Sequence, residues 1–256
     1  MNEKIGITII ALFVAWASMS GPANASEESI KANRIKAKSG THYLLIFQRD
    51  TRARWTTIRP KKEDKSIVLC IPAAFTLSYG GVDGFYACDG QLFNKDNPDK
   101  SIGGTVVVLN GKCNVVSSPA GKIDDNLIAA VKAQKGDLFQ QFQVVADGKG
   151  EKFKDPTRFQ RRGIAIFGDD STAIIESNEA ITLTQFGEDA ASMGVQQLAY
   201  TDMGPWDEGW VRNPANGKLV KIGQNRSLTD RQSNWLYFRI SESQSLNLGE
   251  PKETRR

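Results

Sequence analysis

The chain has 256 residues, of which 40% are hydrophobic and 24% are charged, and its formal net charge is +4. This length and composition fit one large domain that buries a core of its own. After the first 25 residues no apolar run reaches the roughly 20 residues that a transmembrane helix needs, which excludes a helical membrane protein.

The first 25 residues have the pattern of a secretory signal peptide. Lys4 is followed by an apolar stretch over residues 5–17 and by the small-x-small sequence Ala23-Asn24-Ala25. A cation, a short hydrophobic segment and such a site are what a signal peptidase reads, so we expect cleavage after Ala25. The mature protein would then be exported to a periplasm or to the outside of the cell.

Three cysteines lie close together in the sequence, at Cys70, Cys88 and Cys113. An oxidising compartment allows one bridge and leaves one thiol over, and the spacing alone does not choose the pair. Cys70 lies in the apolar run 67–71, which is typical of a buried strand. We therefore favour a Cys88–Cys113 disulfide with Cys70 free.

Positive charge is concentrated in one part of the chain. Residues 31–62 contain ten cations and a single anion, Asp50. Such a strip could attract an acidic polysaccharide or a phosphoglycan, or it could be the solvated face of edge strands, where charge discourages aggregation. Export makes nucleic acid the least suitable of the anionic partners. The cations are Lys31, Arg34, Lys36, Lys38, Arg49, Arg52, Arg54, Arg59, Lys61 and Lys62.

The pattern after the signal peptide is dominated by strands. Residues 26–40 are charged and poor in large apolar side chains, which indicates a loose leader before a domain over residues 41–240. Runs rich in β-branched and aromatic residues predict strands, and Asp89-Gly90 and Asn110-Gly111 predict tight hairpins. The tail, residues 241–256, is polar enough to be disordered. The predicted strands cover residues 43–47, 66–71, 85–88, 91–93, 105–109, 113–116, 139–146, 163–167, 172–176 and 195–199.

Two helices interrupt these strands. The first is predicted over residues 124–134 with Asp124 or Asp125 as its N-cap, and the second over residues 183–193 with a possible Thr182–Gln185 capping box. Strands greatly outnumber helices, which favours one α+β domain built on a curved, mostly antiparallel β-sheet with a few helices.

The sequence lacks the common catalytic motifs. It contains no nucleophile elbow, phosphate-binding loop or histidine-rich metal motif, and for its single histidine, His42, a structural or surface role is favoured. Carboxylate and guanidinium groups remain. They gather at Arg161-Arg162 before a strand, at Glu176 near the end of the next strand, and in the loop 200–210.

The loop 200–210 combines two tryptophans with three carboxylates and turn-forming residues. Flat aromatic faces stack on sugar rings and carboxylates bind sugar hydroxyls, so this loop is a candidate sugar site. The alternative is a well-packed loop with surface acids.

The order of several segments resembles that of the phosphodiester glycosidase family over roughly residues 67–239. Pro72-Ala73-Ala74-Phe75-Thr76 stands where that family has Asn-Gly-Gly-Phe-Phe. Arg161-Arg162-Gly163-Ile164-Ala165 is similar to its Arg-Thr-Ala-Ile-Gly strand start, and Ile175-Glu176-Ser177 to its Val-Asp-Gly. Tyr200-Thr201-Asp202-Met203-Gly204 takes the place of its Asn-Leu-Asp-Gly-Gly.

This resemblance implies a hydrolase acting on a sugar phosphodiester or an envelope or extracellular glycan. Arg161 would neutralise the phosphate, Asp202 would act as acid, base or nucleophile, and Glu176 would be the second carboxylate, all three meeting in one cleft. A divalent cation held by Asp202, Asp207 and Glu208 is a further option, although no calcium-loop spacing is present. The alternative is a non-catalytic glycan-binding or envelope protein that keeps the fold. The candidate substrate-binding residues are Arg162, Gly204, Trp206, Asp207 and Glu208.

Overall fold

The computed structural model describes residues 29–224 and 226–240. The predicted signal peptide and the predicted polar tail lie outside these residues. The helices are α1 (Asp125–Ala133) and α2 (Leu183–Ser192), with short 3₁₀ turns at Pro119–Gly121 and Thr229–Arg231. The strands are β1 (Ile30–Lys36), β2 (His42–Gln48), β3 (Thr51–Thr56), β4 (Ile67–Pro72), β5 (Tyr86–Cys88), β6 (Gln91–Phe93), β7 (Gly104–Leu109), β8 (Lys112–Ser117), β9 (Asp137–Gln141), β10 (Gln143–Ala146), β11 (Lys149–Gly150), β12 (Arg162–Phe167), β13 (Thr172–Ser177), β14 (Val195–Tyr200), β15 (Trp210–Arg212), β16 (Leu219–Lys221) and β17 (Trp235–Ile240).

The strands form three sheets, and each pairing within the described residues is antiparallel. The first sheet has the order β1-β2-β13-β12-β14-β10-β11, the second β16-β15-β4-β17-β3 and the third β6-β5-β9-β7-β8. The α+β class with mostly antiparallel strands is confirmed. The single curved sheet of the sequence analysis is replaced by three packed sheets.

Both helices begin where their caps predict. The Asp124 side chain accepts hydrogen bonds from the first turn of α1, and Thr182 accepts one from the Gln185 amide at the start of α2. The Gln185 side chain does not complete a capping box, because it donates to Thr41 Oγ1 at 3.0 Å instead. This contact ties α2 to the segment before β2.

The two predicted hairpins are present. Asp89 and Asn110 have φ of 50° and 52°, the left-handed conformation that a two-residue turn of this kind requires. They connect β5 to β6 and β7 to β8 in the third sheet.

Strand β12 separates two parts of the core. Ile164 and Ile166 pack with residues of the second and third sheets, whereas Ala165 faces the cluster around Phe186 of α2. Because side chains alternate along a strand, Arg161 and Arg162 at its entrance are directed to opposite faces.

The segment 26–40 is not simply a loose leader. Strand β1 lies within it and pairs along its whole length with β2. Its exposed Lys31, Arg34 and Lys36 are the charged side chains that protect an edge strand from pairing with other chains. The low apolar content that suggested a leader is therefore the signature of a sheet edge.

The predicted Cys88–Cys113 disulfide is wrong, because all three cysteines are free. Cys88 lies on β5 and Cys113 on β8, and strands β9 and β7 lie between them in the third sheet. Neighbouring strands are about 4.8 Å apart, so three steps separate the two by about 14 Å, beyond the roughly 7 Å that a bridge allows. Cys70 is buried and unpaired, as predicted.

Candidate functional site

Three charged side chains form a buried cluster, which we call the Arg162 cluster: Arg162, Glu176 and Asp207. Arg162 and Glu176 are register partners on β12 and β13. Arg162 donates to Glu176 Oε2 through Nε at 2.7 Å, and it holds Asp207 in a bidentate pair with both N–O distances at 2.9 Å. Arg162 is wholly buried and the two acids are nearly so.

The remaining oxygens of the Arg162 cluster are also satisfied. Glu176 Oε1 accepts from the Gln160 amide at 3.0 Å and from the Gly223 backbone at 3.1 Å, and Asp207 Oδ1 accepts from the Gly209 backbone at 2.9 Å. Burial would lower the pKa of Arg162, but the charges of Asp207 and Glu176 raise it above its ordinary value. The cluster therefore fastens the loop after β14 to the first sheet, and it leaves no group free for a substrate.

Glu208 is held by a separate set of cations. Its carboxylate lies 2.7 Å from Lys62 Nζ and 3.0 Å from an Arg59 guanidinium nitrogen. Arg59 also donates to the carbonyls of Thr229 and Asp230 and lies over the Trp235 ring. Glu208 thus neutralises two cations of the basic strip, Arg59 and Lys62, within the fold.

Asp202 follows the end of β14 and is the acid of the site that we call the Asp202 site, formed with Phe75, Thr76, Tyr200 and Trp206. Its Oδ2 accepts from the Thr76 backbone at 2.9 Å and from Trp206 Nε1 at 3.0 Å. Its own N–H donates to the Ala73 carbonyl at 2.9 Å. These bonds join the loop after β4 to the loop after β14.

Burial raises the pKa of Asp202 to about 6. Hydrogen bonds from Trp206 and Thr76 lower the pKa in part, and the nearby charge of Asp207 raises it. A carboxyl group with a pKa near 6 is divided between its acid and carboxylate forms near neutral pH. Both donors named above bind Oδ2, so Oδ1 keeps acceptor capacity.

A row of half-buried aromatic rings begins at Phe75, beside the Thr76 that binds this acid. The Phe75 ring lies 6.1 Å from that of Tyr200 and 5.3 Å from that of Phe142, and Phe142 packs against Phe153 at 5.9 Å. Met203 is also half-buried against this cluster. The Asp202 site thus combines one titratable carboxyl group with partly exposed aromatic surface.

Arg161 lies on the face of the first sheet opposite Arg162. Its guanidinium donates to the carbonyls of Ile181 and Thr157 at 3.1 and 2.9 Å and lies over the Tyr200 ring at 5.6 Å. These contacts occupy donors that the resemblance assigned to a phosphate. Glu176 pairs with Arg162 instead.

The expected trio of Arg161, Glu176 and Asp202 is therefore divided. Glu176 belongs to the Arg162 cluster together with Asp207, whereas Arg161 and Asp202 both lie near Tyr200 and both affect the pKa of its hydroxyl. Gly204 lies beside Trp206, since a side chain there would meet its ring at 3.6 Å. Thr76 was missed as a site residue, although the segment 72–76 that carries it was part of the family-like pattern.

The three acids proposed for a divalent cation do not form a site for one. Asp207 is paired with Arg162, Glu208 with Lys62 and Arg59, and Asp202 with Thr76 and Trp206. In the part of the chain that the structure describes, no group of three or more metal-binding side chains gathers.

His42 is half exposed, and its Nδ1 lies 2.8 Å from Glu179 Oε1. This pairing fits the surface role expected from the sequence. No helix within residues 29–224 and 226–240 is long and apolar enough to cross a membrane.

Comparison with known proteins shows a likeness of fold. The catalytic domain of zebrafish N-acetylglucosamine-1-phosphodiester alpha-N-acetylglucosaminidase, auto-inhibited by its pro-peptide, matches with a TM-score of 0.58 and 9% identity, over 85% of each chain. A hypothetical protein from Synechocystis matches with a TM-score of 0.52 and 10% identity, over 83% of this chain and 62% of its own. No family model and no curated protein matches the sequence. At these identities the likeness establishes a distant relationship of fold.

Proposed function

We propose that this protein binds a saccharide at the Asp202 site. Partly exposed rings of Phe75, Phe142 and Phe153 form a row that begins beside Thr76, whose backbone binds the Asp202 carboxyl group, and such a group can bind sugar hydroxyls. Small-ligand sites commonly combine such apolar walls with a few placed polar groups. The fold likeness to a phosphodiester glycosidase domain, whose name specifies a sugar ligand, supports the same choice.

Binding is preferred over hydrolysis because Glu176 is already paired with Arg162. A typical glycosidase needs two carboxyl groups about 5–10 Å apart, one on each side of the scissile bond. Glu176, the second carboxylate expected from the resemblance, and Asp207 both form ion pairs with Arg162. Arg161 is likewise engaged with carbonyl oxygens, so it is a poor partner for a phosphate.

Hydrolysis of a sugar phosphodiester is the second candidate, and the raised pKa of Asp202 favours it. A carboxylic acid with a pKa near 6 is suited to protonate a leaving oxygen close to neutral pH. In that reaction Asp202 would transfer its proton to the phosphate oxygen of the bond that breaks. A water molecule would attack the anomeric carbon and release one proton to the solvent, from which Asp202 would be reprotonated.

Two assays of the same preparation separate the candidates. A glycan array tests binding. Hydrolysis is tested with the p-nitrophenyl phosphodiester of N-acetylglucosamine 1-phosphate, whose product p-nitrophenyl phosphate is converted by a coupling phosphatase to the coloured p-nitrophenol. We expect array signal without turnover, and a loss of signal in Asp202→Ala. Asp170→Asn, which changes an exposed acid in the β12–β13 turn, is the control that should keep full signal. Turnover that Asp202→Asn abolishes would establish the hydrolase instead.

We also propose that the protein is exported and acts on a glycan of the envelope or the surroundings, without nucleic acid as a partner. The Ala23-Asn24-Ala25 sequence supports this proposal. Intact-mass measurement of the exported protein should find Ser26 as the first residue. A mass that retains residues 1–25 would contradict it.

A further inference from the structure

Two aromatic side chains are exposed on segments attached to the Asp202 site. Among the described residues, the large apolar side chains with the greatest exposure are Tyr79 at 84%, Ile58 at 79% and Phe159 at 59%. Exposed aromatic groups of this size are enriched where ligands and partners bind. Tyr79 and Phe159 are therefore candidates for contact with a ligand.

Tyr79 lies at the tip of the loop 76–82, whose base is part of the Asp202 site. Thr76 and Val82 form a bridge, and hydrogen bonds between Leu77 and both Gly80 and Gly81 close the turn. The Thr76 backbone binds Asp202 Oδ2, and Ser233 Oγ donates to the Gly81 carbonyl at 2.8 Å. The loop is thus anchored on the acid and on the segment before β17, while its aromatic tip is left in solvent.

Phe159 is connected to the same site through a series of stacked groups. It forms a bridge with Ile181, and its ring lies 5.2 Å from the Arg161 guanidinium. Arg161 in turn lies 5.6 Å from the Tyr200 ring, which is 6.1 Å from Phe75. Phe159 and the loop 76–82 are therefore linked to the Asp202 site from two different chain segments, Phe159 through the buried Arg161 and Tyr200.

We propose that the Asp202 site extends over several sugar units and takes an oligosaccharide, with Tyr79 and Phe159 stacking on units beyond the one at Asp202. This inference rests on the proposed saccharide binding. Rigid aromatic side chains provide large contact area for little loss of conformational entropy, and they often supply most of the affinity at a binding surface. A single sugar at Asp202 would leave both rings without a role.

The test measures how affinity depends on ligand length. The wild type, Tyr79→Ala, Phe159→Ala and the control Ile58→Ala are compared on an array that presents each glycan series from the monosaccharide to the octasaccharide. Ile58 matches the other two in exposure and lies on the segment between β3 and β4. Titration calorimetry then follows with the best-bound series. Since all three side chains are exposed, thermal melting should be unchanged.

We expect the wild type to prefer the longer members of a series. Tyr79→Ala and Phe159→Ala should each lower affinity for them by about tenfold, and Ile58→Ala should not. Tyr79→Phe and Phe159→Tyr keep a ring and should keep affinity. Equal affinity for monosaccharide and oligosaccharide, unchanged in Tyr79→Ala and Phe159→Ala, would overturn the inference and leave saccharide binding intact. Absence of signal on all glycans would overturn saccharide binding itself.

Discussion

Replacing Arg162 by methionine should reveal how much the Arg162 cluster contributes to stability. Methionine keeps much of the side-chain volume and removes the cation that Glu176 and Asp207 share. Arg162 is wholly buried, and its pairs with the two acids are 2.6 to 2.9 Å long. Removing one partner from such a buried set leaves uncompensated charge and costs about 3–5 kcal/mol of unfolding free energy. That is a large part of the roughly 5–15 kcal/mol available to a typical domain.

The loss should depend on pH in a defined direction. Without Arg162, two neighbouring buried carboxyl groups have no counter-ion, so the folded state favours their neutral forms more strongly than the unfolded chain does. A group whose folded pKa is raised contributes its stability below the unfolded pKa and loses it as pH rises through the folded pKa. The deficit of Arg162→Met should therefore be small near pH 4.5 and reach its full size near pH 8.

Urea denaturation followed by tryptophan fluorescence at both pH values measures this deficit. Arg239→Met is the matched control, because Arg239 pairs with Asp64 at 3.0 Å but both side chains are at least one third exposed. Its cost should stay below about 1 kcal/mol. A deficit for Arg162→Met that equals that of Arg239→Met, or one that is the same at both pH values, would refute the reasoning.

Three further predictions follow from the same geometry. Asp202→Asn should become more stable relative to wild type as pH rises from 4 to above 6, by about 3 kcal/mol of unfolding free energy in total, because the pKa of Asp202 rises from 3.8 to about 6 on folding. A difference in unfolding free energy that stays constant across this pH range would contradict the burial of its charge. Gly223→Ala should destabilise the protein by more than about 2 kcal/mol, on the order of a broken buried ion pair, because the new Cβ would collide with Asp207 and lie 2.8 Å from Arg162. Gly217→Ala, also at positive φ but in open space, should cost much less in the same denaturation assay. Titration with a thiol reagent should find three free thiols in the denatured chain, with Cys70 and Cys113 unreactive in the native protein because burial raises the pKa of both; two thiols fewer in the denatured count would restore a disulfide.

Local patterns predicted the helices and hairpins well because their causes are local. Asp124 and Thr182 cap helices through bonds to the next few residues, and Asp89 and Asn110 adopt the turn conformation by themselves. The order of strands within a sheet has no such local cause. This is why two cysteines on consecutive hairpins were expected to meet and instead have two strands between them.

The candidate site was predictable in its segments and less so in its contacts. The segments around Phe75 and Asp202 were identified from their order along the chain, and the structure joins them through Thr76. Arg161 and Arg162 are directed to opposite faces of β12, and only the one on the same face as Glu176 can pair with it. Neighbouring residues on a strand exchange faces with a shift of one position, so this choice required the register of β12 against β13.

Chemical-shift mapping of a bound oligosaccharide tests saccharide binding at the Asp202 site most directly. The indole N–H of Trp206 donates to Asp202 Oδ2 at 3.0 Å, so its NMR signal should report on this carboxyl group. Saturating the protein with the glycan that it binds best should shift this indole signal and the backbone amides of Thr76 and Asp202, with smaller changes in the Arg162 cluster. Shifts confined to another surface, or no shift at saturating ligand, would contradict the assignment of function to the Asp202 site.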